Sequence, residues 1–219
     1  MYWIAFGDIH ESTGLLGAVP GLAEADGVIV TGDLTNRGGR ESAKHVLDAV
    51  ARFNPCILAQ PGNMDEDDVT VYLRERDMDI HLRVRELAPG LKLMGVGLST
   101  PTPFGTPGEV PEATLAAWLD ETYALAGDFD RLICVIHEPP LDTKLDRLSN
   151  GQHVGSPGVR AFLERVQPDL AVTGHIHEAR GADRIGSTPV LNPGMLAHGG
   201  YVRINFDGRT LSADLESVR

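Results

Sequence analysis

Cysteine is nearly absent: Cys56 and Cys134 are the only two in 219 residues. Both sit in short apolar stretches far apart in the chain. That excludes a disulfide framework or a zinc knuckle and reads as two reduced core thiols of an intracellular protein. No run of about 18 apolar residues occurs, so the sequence offers no membrane span. The opening stretch, Met-Tyr-Trp-Ile-Ala-Phe-Gly-Asp, has no basic n-region and turns polar at Gly7, which argues against a secretory signal. Basic residues are also in short supply: 19 Lys and Arg face 31 Asp and Glu, a formal net charge of −12. A chain of that sign repels phosphate polymers at long range, so a nucleic-acid coat or a membrane-surface binder is disfavoured. No linker, repeat or low-complexity tract divides the chain, and one cytoplasmic domain over residues 1–219 is expected.

Glycine and proline are abundant instead, at 25 and 14 residues, together above the roughly 12% of average usage, so loops are tight and sharply turned. Between them recur short apolar runs at 2–6, 28–30, 56–59, 132–136 and 170–172. Runs this short, apolar on both faces and bounded by turn residues, read as buried strands. Helical patterns at 41–53, 67–74, 111–126 and 157–166 alternate with them, with Pro111 suited to the first helical position and Leu125 on the apolar face. Two hairpins, 83–96 about Pro89-Gly90 and 200–215 about Asp207-Gly208, interrupt the alternation. The expectation is an α/β protein with two mixed, packed sheets. The stretch 99–111, rich in Thr, Pro and Gly, reads as a long surface loop over a site.

Polar residues follow the strands in a consistent way. Asp8 and His10 come after Phe6, Asp33 after Val30, Asn63 after Ala59, His137 after Ile136, and His175 and His177 after Val172. Ligands of open α/β sheets gather beyond the carboxyl ends of the strands, so these side chains converge if the strands are neighbours. Taken singly, Asp8 would read as a turn residue, His137 as a core histidine and Asn63 as a loop amide. Jointly, two carboxylates, four imidazoles and an amide suit divalent manganese, iron, zinc, cobalt or nickel. Seven donors exceed one tetrahedral site and suffice for two ions if one carboxylate bridges.

The ordered set Gly7-Asp8-x-His10, Gly32-Asp33-x-x-Asn36-Arg37-Gly38, Gly62-Asn63-Met64-Asp65, His137 and Gly174-His175-x-His177 resembles the calcineurin-like metallophosphoesterase superfamily. The segments around His153-Val-Gly-Ser156 and Asn192-Pro-Gly194 look like its small prokaryotic, phosphodiesterase-type members. The resemblance implies the metallo-dependent phosphatase fold, a four-layer α/β/β/α sandwich of two mixed β-sheets. It implies that Asp8, His10, Asp33 and His177 hold one metal while Asp33, as a bridge, with Asn63, His137 and His175 holds the other. Manganese is the ion expected to serve in vitro. The implied activity is hydrolysis of a small, nucleotide-like phosphoester by a hydroxide held between the ions, with Arg37 binding phosphate. A nuclease and a non-catalytic scaffold of the same fold are the competing expectations.

Two positions depart from that pattern. Many relatives carry a proton-donating His where this chain has Met64, and protein phosphatases pair it with an Asp where this chain has Asn36. Methionine has no proton to give. Phosphodiesters with good leaving groups are therefore the expected substrates, and His153 and His198 are the candidates for a substitute acid. Asn192 is expected to support a ligand from behind, His45 and His81 to be structural, and Asp65-Glu66-Asp67-Asp68 to form an acidic helix start.

Overall fold

The computed structural model describes residues 1–218. Period-two alternation decides its layering. In β1 (Tyr2–Phe6), Ile4 and Phe6 point to one side and Trp3 and Ala5 to the other, and all four are buried. A strand buried on both faces must be sandwiched. β1 lies in a five-stranded sheet of order β11-β10-β1-β2-β3. Here β2 (Gly27–Val30) and β3 (Ile57–Ala59) run parallel to β1, while β10 (Gly200–Phe206) and β11 (Leu211–Ser217) form the antiparallel hairpin beside it.

The second sheet has the order β4-β5-β6-β7-β9-β8. Its parallel centre is β5 (Leu91–Val96), β6 (Arg131–Ile136), β7 (Leu170–Val172) and β9 (Thr188–Asn192), with β4 (Arg83–Ala88) and β8 (Gly181–Ile185) as antiparallel edges. In β6, Ile133 and Val135 meet Trp3, Ala5 and Ile29 in the seam between the sheets, while Leu132, Cys134 and Ile136 face outward.

Helices close both outer faces. In α1 (Arg40–Ala51), Ala43, Val46, Leu47 and Val50 form one stripe, joined by Val69, Tyr72 and Leu73 of α2 (Asp67–Glu75) over the first sheet. In α3 (Glu112–Ala124), Leu115 and Leu119 pack with Val159, Phe162 and Leu163 of α4 (Pro157–Val166) over the second. The result is the expected α/β/β/α sandwich of two mixed sheets. No helix among the described residues is long and apolar enough to cross a membrane.

Several local expectations are corrected. Pro111 is the N-cap of α3 and keeps an extended ψ of 144°, so the helix begins at Glu112. Leu125 is the C-cap and is exposed, because the helix ends before its face turns inward. Cys56 is exposed at the entry to β3, where its carbonyl accepts Val28 N and its N–H donates to Asn54 Oδ1; Cys134 alone is a core thiol. The hairpin of β8 and β9 adds two strands that the apolar runs do not announce.

Candidate metal centre

Every sequence-predicted donor lies just past the carboxyl end of a parallel strand, and the seam between the sheets brings all seven together. Asp8 and His10 follow β1, Asp33 follows β2, Asn63 follows β3, His137 follows β6, and His175 and His177 follow β7. Gln60 ties the sheets just below them, its amide donating to Thr31 O of one and Val96 O of the other at 3.1 and 3.3 Å.

Two clusters result, and Asp33 belongs to both. Donor atoms of Asp8, His10, Asp33 and His177 lie within 4.8 Å of one another, as do those of Asp33, His137 and His175. The two oxygens of Asp33 divide between them: Oδ2 is 3.6 Å from His10 Nε2 and Oδ1 is 3.5 Å from His137 Nε2. Asn63 Oδ1 completes the second cluster, 3.1 Å from His137 Nε2 and 2.7 Å from His175 Nδ1. His10 and His177 bring their Nε2 atoms to 3.0 Å, and His177 Nε2 is 3.3 Å from Asp8 Oδ1.

Neighbouring groups turn these donors inward. Thr35 O stands 3.2 Å from His10 Nδ1, and Thr31 O stands 3.1 Å from His137 Nδ1. A carbonyl there accepts the Nδ1 proton and turns Nε2 toward the cluster. Thr106 Oγ1 accepts from Asn63 Nδ2 at 3.0 Å and donates to Glu109 at 2.6 Å, which fixes the Asn63 carbonyl oxygen toward the histidines. Asn36 donates to His10 O at 3.0 Å, and Asn192 bridges Ile176 O and Gly194 N behind the His175-x-His177 turn, as expected of it. Thr31, Thr35, Thr106 and Glu109 had no sequence signal beyond being polar loop residues.

The arrangement is costly without a cation. Asp8, His10, Asp33 and His175 all adopt left-handed backbone, with φ of 47°, 45°, 52° and 67°. Each such residue costs on the order of 1–2 kcal/mol, and strain of this kind concentrates at functional sites. Asp8 is fully buried and its Oδ2 has no hydrogen-bond partner among the described residues. A carboxylate oxygen left bare in the interior, beside two imidazole nitrogens 3.0 Å apart, fits a divalent ion.

Titration follows the same geometry. Burial pushes the Asp8 carboxyl up, but the bond from His177 and the charges of His137, His177 and His10 outweigh it and hold it at about 2. Burial lowers His137, yet Asp33 and Asp8 overcome it and raise the imidazole to about 9. His175, buried beside His137, falls to about 4. Asp65 is not part of a helix start. It is buried and accepts from Leu34 N, Thr35 N and Gly62 N at 3.1, 2.8 and 2.9 Å, clamping the β2 loop to the β3 loop, and burial and Asp33 raise it to about 7.

A cleft of about 1180 Å³ opens over the clusters. Its wall includes Arg37, Met64, Phe104 and His153 beside the ligands. Arg37 donates through Nη2 to Phe104 O at 2.7 Å, and His153 Nδ1 lies 2.8 Å from Asp146 Oδ1. His198 is absent from this wall and exposed on the turn Leu196–His198, which removes it as a candidate acid.

Residues 1–179 match the family described as calcineurin-like phosphoesterase. The chain belongs to that family. It is 31% identical over 175 residues to an uncharacterized protein of Methanocaldococcus jannaschii, a match covering 77% of each chain. A crystal structure from Thermus thermophilus superposes with a TM-score of 0.71 at 18% identity, over 100% of this chain and 99% of that one. A dimetal phosphatase from Danio rerio gives 0.60 at 12%, over 100% and 96%. A 5'-nucleotidase from Candida albicans gives 0.58 at 14%, over 100% of this chain and 52% of its own. At these identities the structural likeness is one of fold. For this calcineurin-like phosphoesterase, membership implies divalent metal ions, and the two clusters supply candidate ligands for them.

Proposed function

We propose that this phosphoesterase is a dinuclear, metal-dependent hydrolase of small phosphoesters, diesters before monoesters. The observation that carries this reading is the shared carboxylate, Asp33, between two donor clusters. Asp8, His10, Asp33 and His177 would hold one ion; Asp33, Asn63, His137 and His175 would hold the other. Divalent ions bound there would neutralise the phosphoryl oxygens and acidify water. Manganese suits the mixed oxygen and nitrogen donors, and zinc, iron, cobalt or nickel are compatible.

The chain's own residues shape the rest. Arg37, steadied by Phe104 O, offers its remaining guanidinium nitrogens to a phosphoryl oxygen. Phe104 is 77% exposed at the rim and gives an aromatic leaving group or a nucleoside base a face to stack on. Met64 lines the cleft without a proton, and Asn36 is engaged with His10 O, so neither supplies an acid. General-acid help is worth about 10²–10⁴ in rate; with none from these two positions, esters whose leaving group departs unprotonated, such as aryl diesters, are favoured, and alkyl esters depend on a proton from elsewhere in the cleft. The named activities of the dimetal phosphatase and 5'-nucleotidase neighbours accord with a small phosphoester substrate, and a cytoplasmic site of action accords with the cysteine usage. The complete ligand set weighs against a non-catalytic scaffold, and the −12 charge weighs against a nuclease.

Elemental analysis after manganese loading, with turnover of an aryl phosphodiester, tests the reading. Two ions per chain and chelator-sensitive hydrolysis, both lost in Asp33→Asn, are expected. Hydrolysis indifferent to chelator would overturn it.

A further inference from the structure

The cleft wall carries one imidazole that the ligand clusters do not use. His153 lines the cleft together with Met64 and the metal-ligating histidines, and its side chain is 34% exposed. Behind it, Asp146 is fully buried and receives His153 Nδ1 at 2.8 Å. The same carboxylate accepts Thr143 N at 2.8 Å, Gly155 N at 3.0 Å and Asp142 N at 3.1 Å, so its position is fixed by backbone on both sides of the loop. Gly155 is needed for this approach, since a Cβ there would lie 2.8 Å from Asp146 Cβ and 2.6 Å from Pro139 O. An antiparallel bridge between Arg147 and His153 and the bond from Leu148 N to Gln152 O at 2.8 Å make the segment a tight hairpin. Ser149 N bonds to Glu178, the residue after ligand His177, which anchors the hairpin tip to the metal-ligand turn.

We propose that Asp146 and His153 form a proton-donating dyad for the leaving group, in place of the acid missing at Met64. This rests on the phosphoesterase reading above. Asp146 accepts the Nδ1 proton, which sets the ring's orientation and leaves Nε2 as the nitrogen without a hydrogen-bond partner among the described residues. The charged groups about the ring are Asp146 behind it, Arg147 paired with it through backbone, and Glu178 and His177 along the same wall. In the step, the bond from phosphorus to the leaving oxygen breaks and its electron pair passes to that oxygen. The Nε2 proton of the imidazolium goes to the same oxygen. The attacking water places its oxygen on phosphorus, and the proton it sheds restores the imidazolium. Aryl esters, whose oxygen leaves as a stable anion, gain nothing from the dyad; alkyl esters depend on it.

The test compares manganese-loaded wild type, His153→Gln and Asp146→Asn on an aryl and an alkyl phosphodiester. The expected result for His153→Gln is a loss about 10²-fold larger on the alkyl ester than on the aryl ester, the low end for a general acid. Asp146→Asn is expected to lower alkyl turnover and displace the limb of its pH–rate profile assigned to the acid. In His153→Gly, added imidazole is expected to restore alkyl turnover selectively, an effect that a merely structural histidine would not show. Equal losses on both esters, or no loss on either, overturn the dyad while leaving the hydrolase standing. A wild-type protein that cleaves neither ester, although it binds metal, overturns both.

Discussion

Replacing Gly62 by alanine places one methyl group against the carboxylate that both clusters share. A Cβ on Gly62 would lie 2.1 Å from Asp33 Oδ1, 2.7 Å from its Cγ and 2.4 Å from its backbone N. Ordinary contact begins at 3.4 Å, so the carboxylate and its loop must retreat by roughly 1 Å. Asp33 cannot yield on one side only, because Oδ1 also accepts Met64 N at 2.8 Å and the next residues are clamped by Asp65. A displacement of that size costs about 10²-fold in a positioned reaction. Overpacking adds about 1–3 kcal/mol of destabilisation, which for a chain of this length lowers Tm by about 2–12 °C. The folded protein should therefore survive while the metal centre does not. Elemental analysis after manganese loading should find less than the two ions expected of wild type, and aryl phosphodiester turnover should fall about 10²-fold. Gly14→Ala, with nothing within 4 Å of the added carbon, is the control. Two ions retained with turnover within about threefold of wild type would refute the claim that Gly62 exists to admit the Asp33 carboxylate.

Manganese at about 100 times its Kd should stabilise the folded chain by about 2.7 kcal/mol for each ion bound, read as a rise in Tm that Asp33→Asn abolishes. A native-state thiol assay should count one reactive cysteine, Cys56, and a second after denaturation, because Cys134 is buried and burial pushes its thiol up. His81 accepts Gly97 N at 3.0 Å through Nδ1, and burial lowers its imidazole from 6.5 to about 4. Because the unfolded chain takes up that proton first, its contribution is complete above pH 6.5 and lost as pH falls toward 4. Urea titrations should therefore show wild type losing about 3 kcal/mol more than His81→Asn over that window, and parallel curves for the two proteins would refute it.

The clustering of the donors was legible because a strand buried on both faces is a continuous apolar run, and its abrupt end in Asp, Asn or His is visible without any structure. The runs at 28–30, 132–136 and 170–172 meet β2, β6 and β7 at their carboxyl ends for that reason. The hairpin of β8 and β9 was not legible. β8, Gly-Ala-Asp-Arg-Ile, alternates half-buried and exposed residues and buries only Ile185, and β9 contains Pro189, which argues against a strand. The structure resolves the conflict by register: β7 pairs with Val190 and Leu191, so the missing N–H of Pro189 falls outside the parallel ladder. Asp65 misread as a helix start for a related reason, since its partners are backbone N–H groups of two loops that only the fold brings together. Cys56 failed the other way: an apolar neighbourhood in sequence does not bury a residue that precedes its strand.

The division of donor residues between the sheets explains why one end of this sandwich can be so strained. Asp8, His10, Asp33 and Asn63 come from the five-stranded sheet, and His137, His175 and His177 come from the six-stranded one. Each cluster draws from both, so an ion in either would join the two sheets where their apolar seam runs out. At that end the chain has traded hydrophobic burial for left-handed loops, a bare Asp8 oxygen and close imidazoles. Hydrophobic seams on either side of both sheets, with Ile4, Ile29, Val135 and Cys134 fully buried, hold the strand ends in place regardless. Rigid strands therefore absorb the cost of holding like groups together, and a cation would recover it at the one point where both sheets contribute donors.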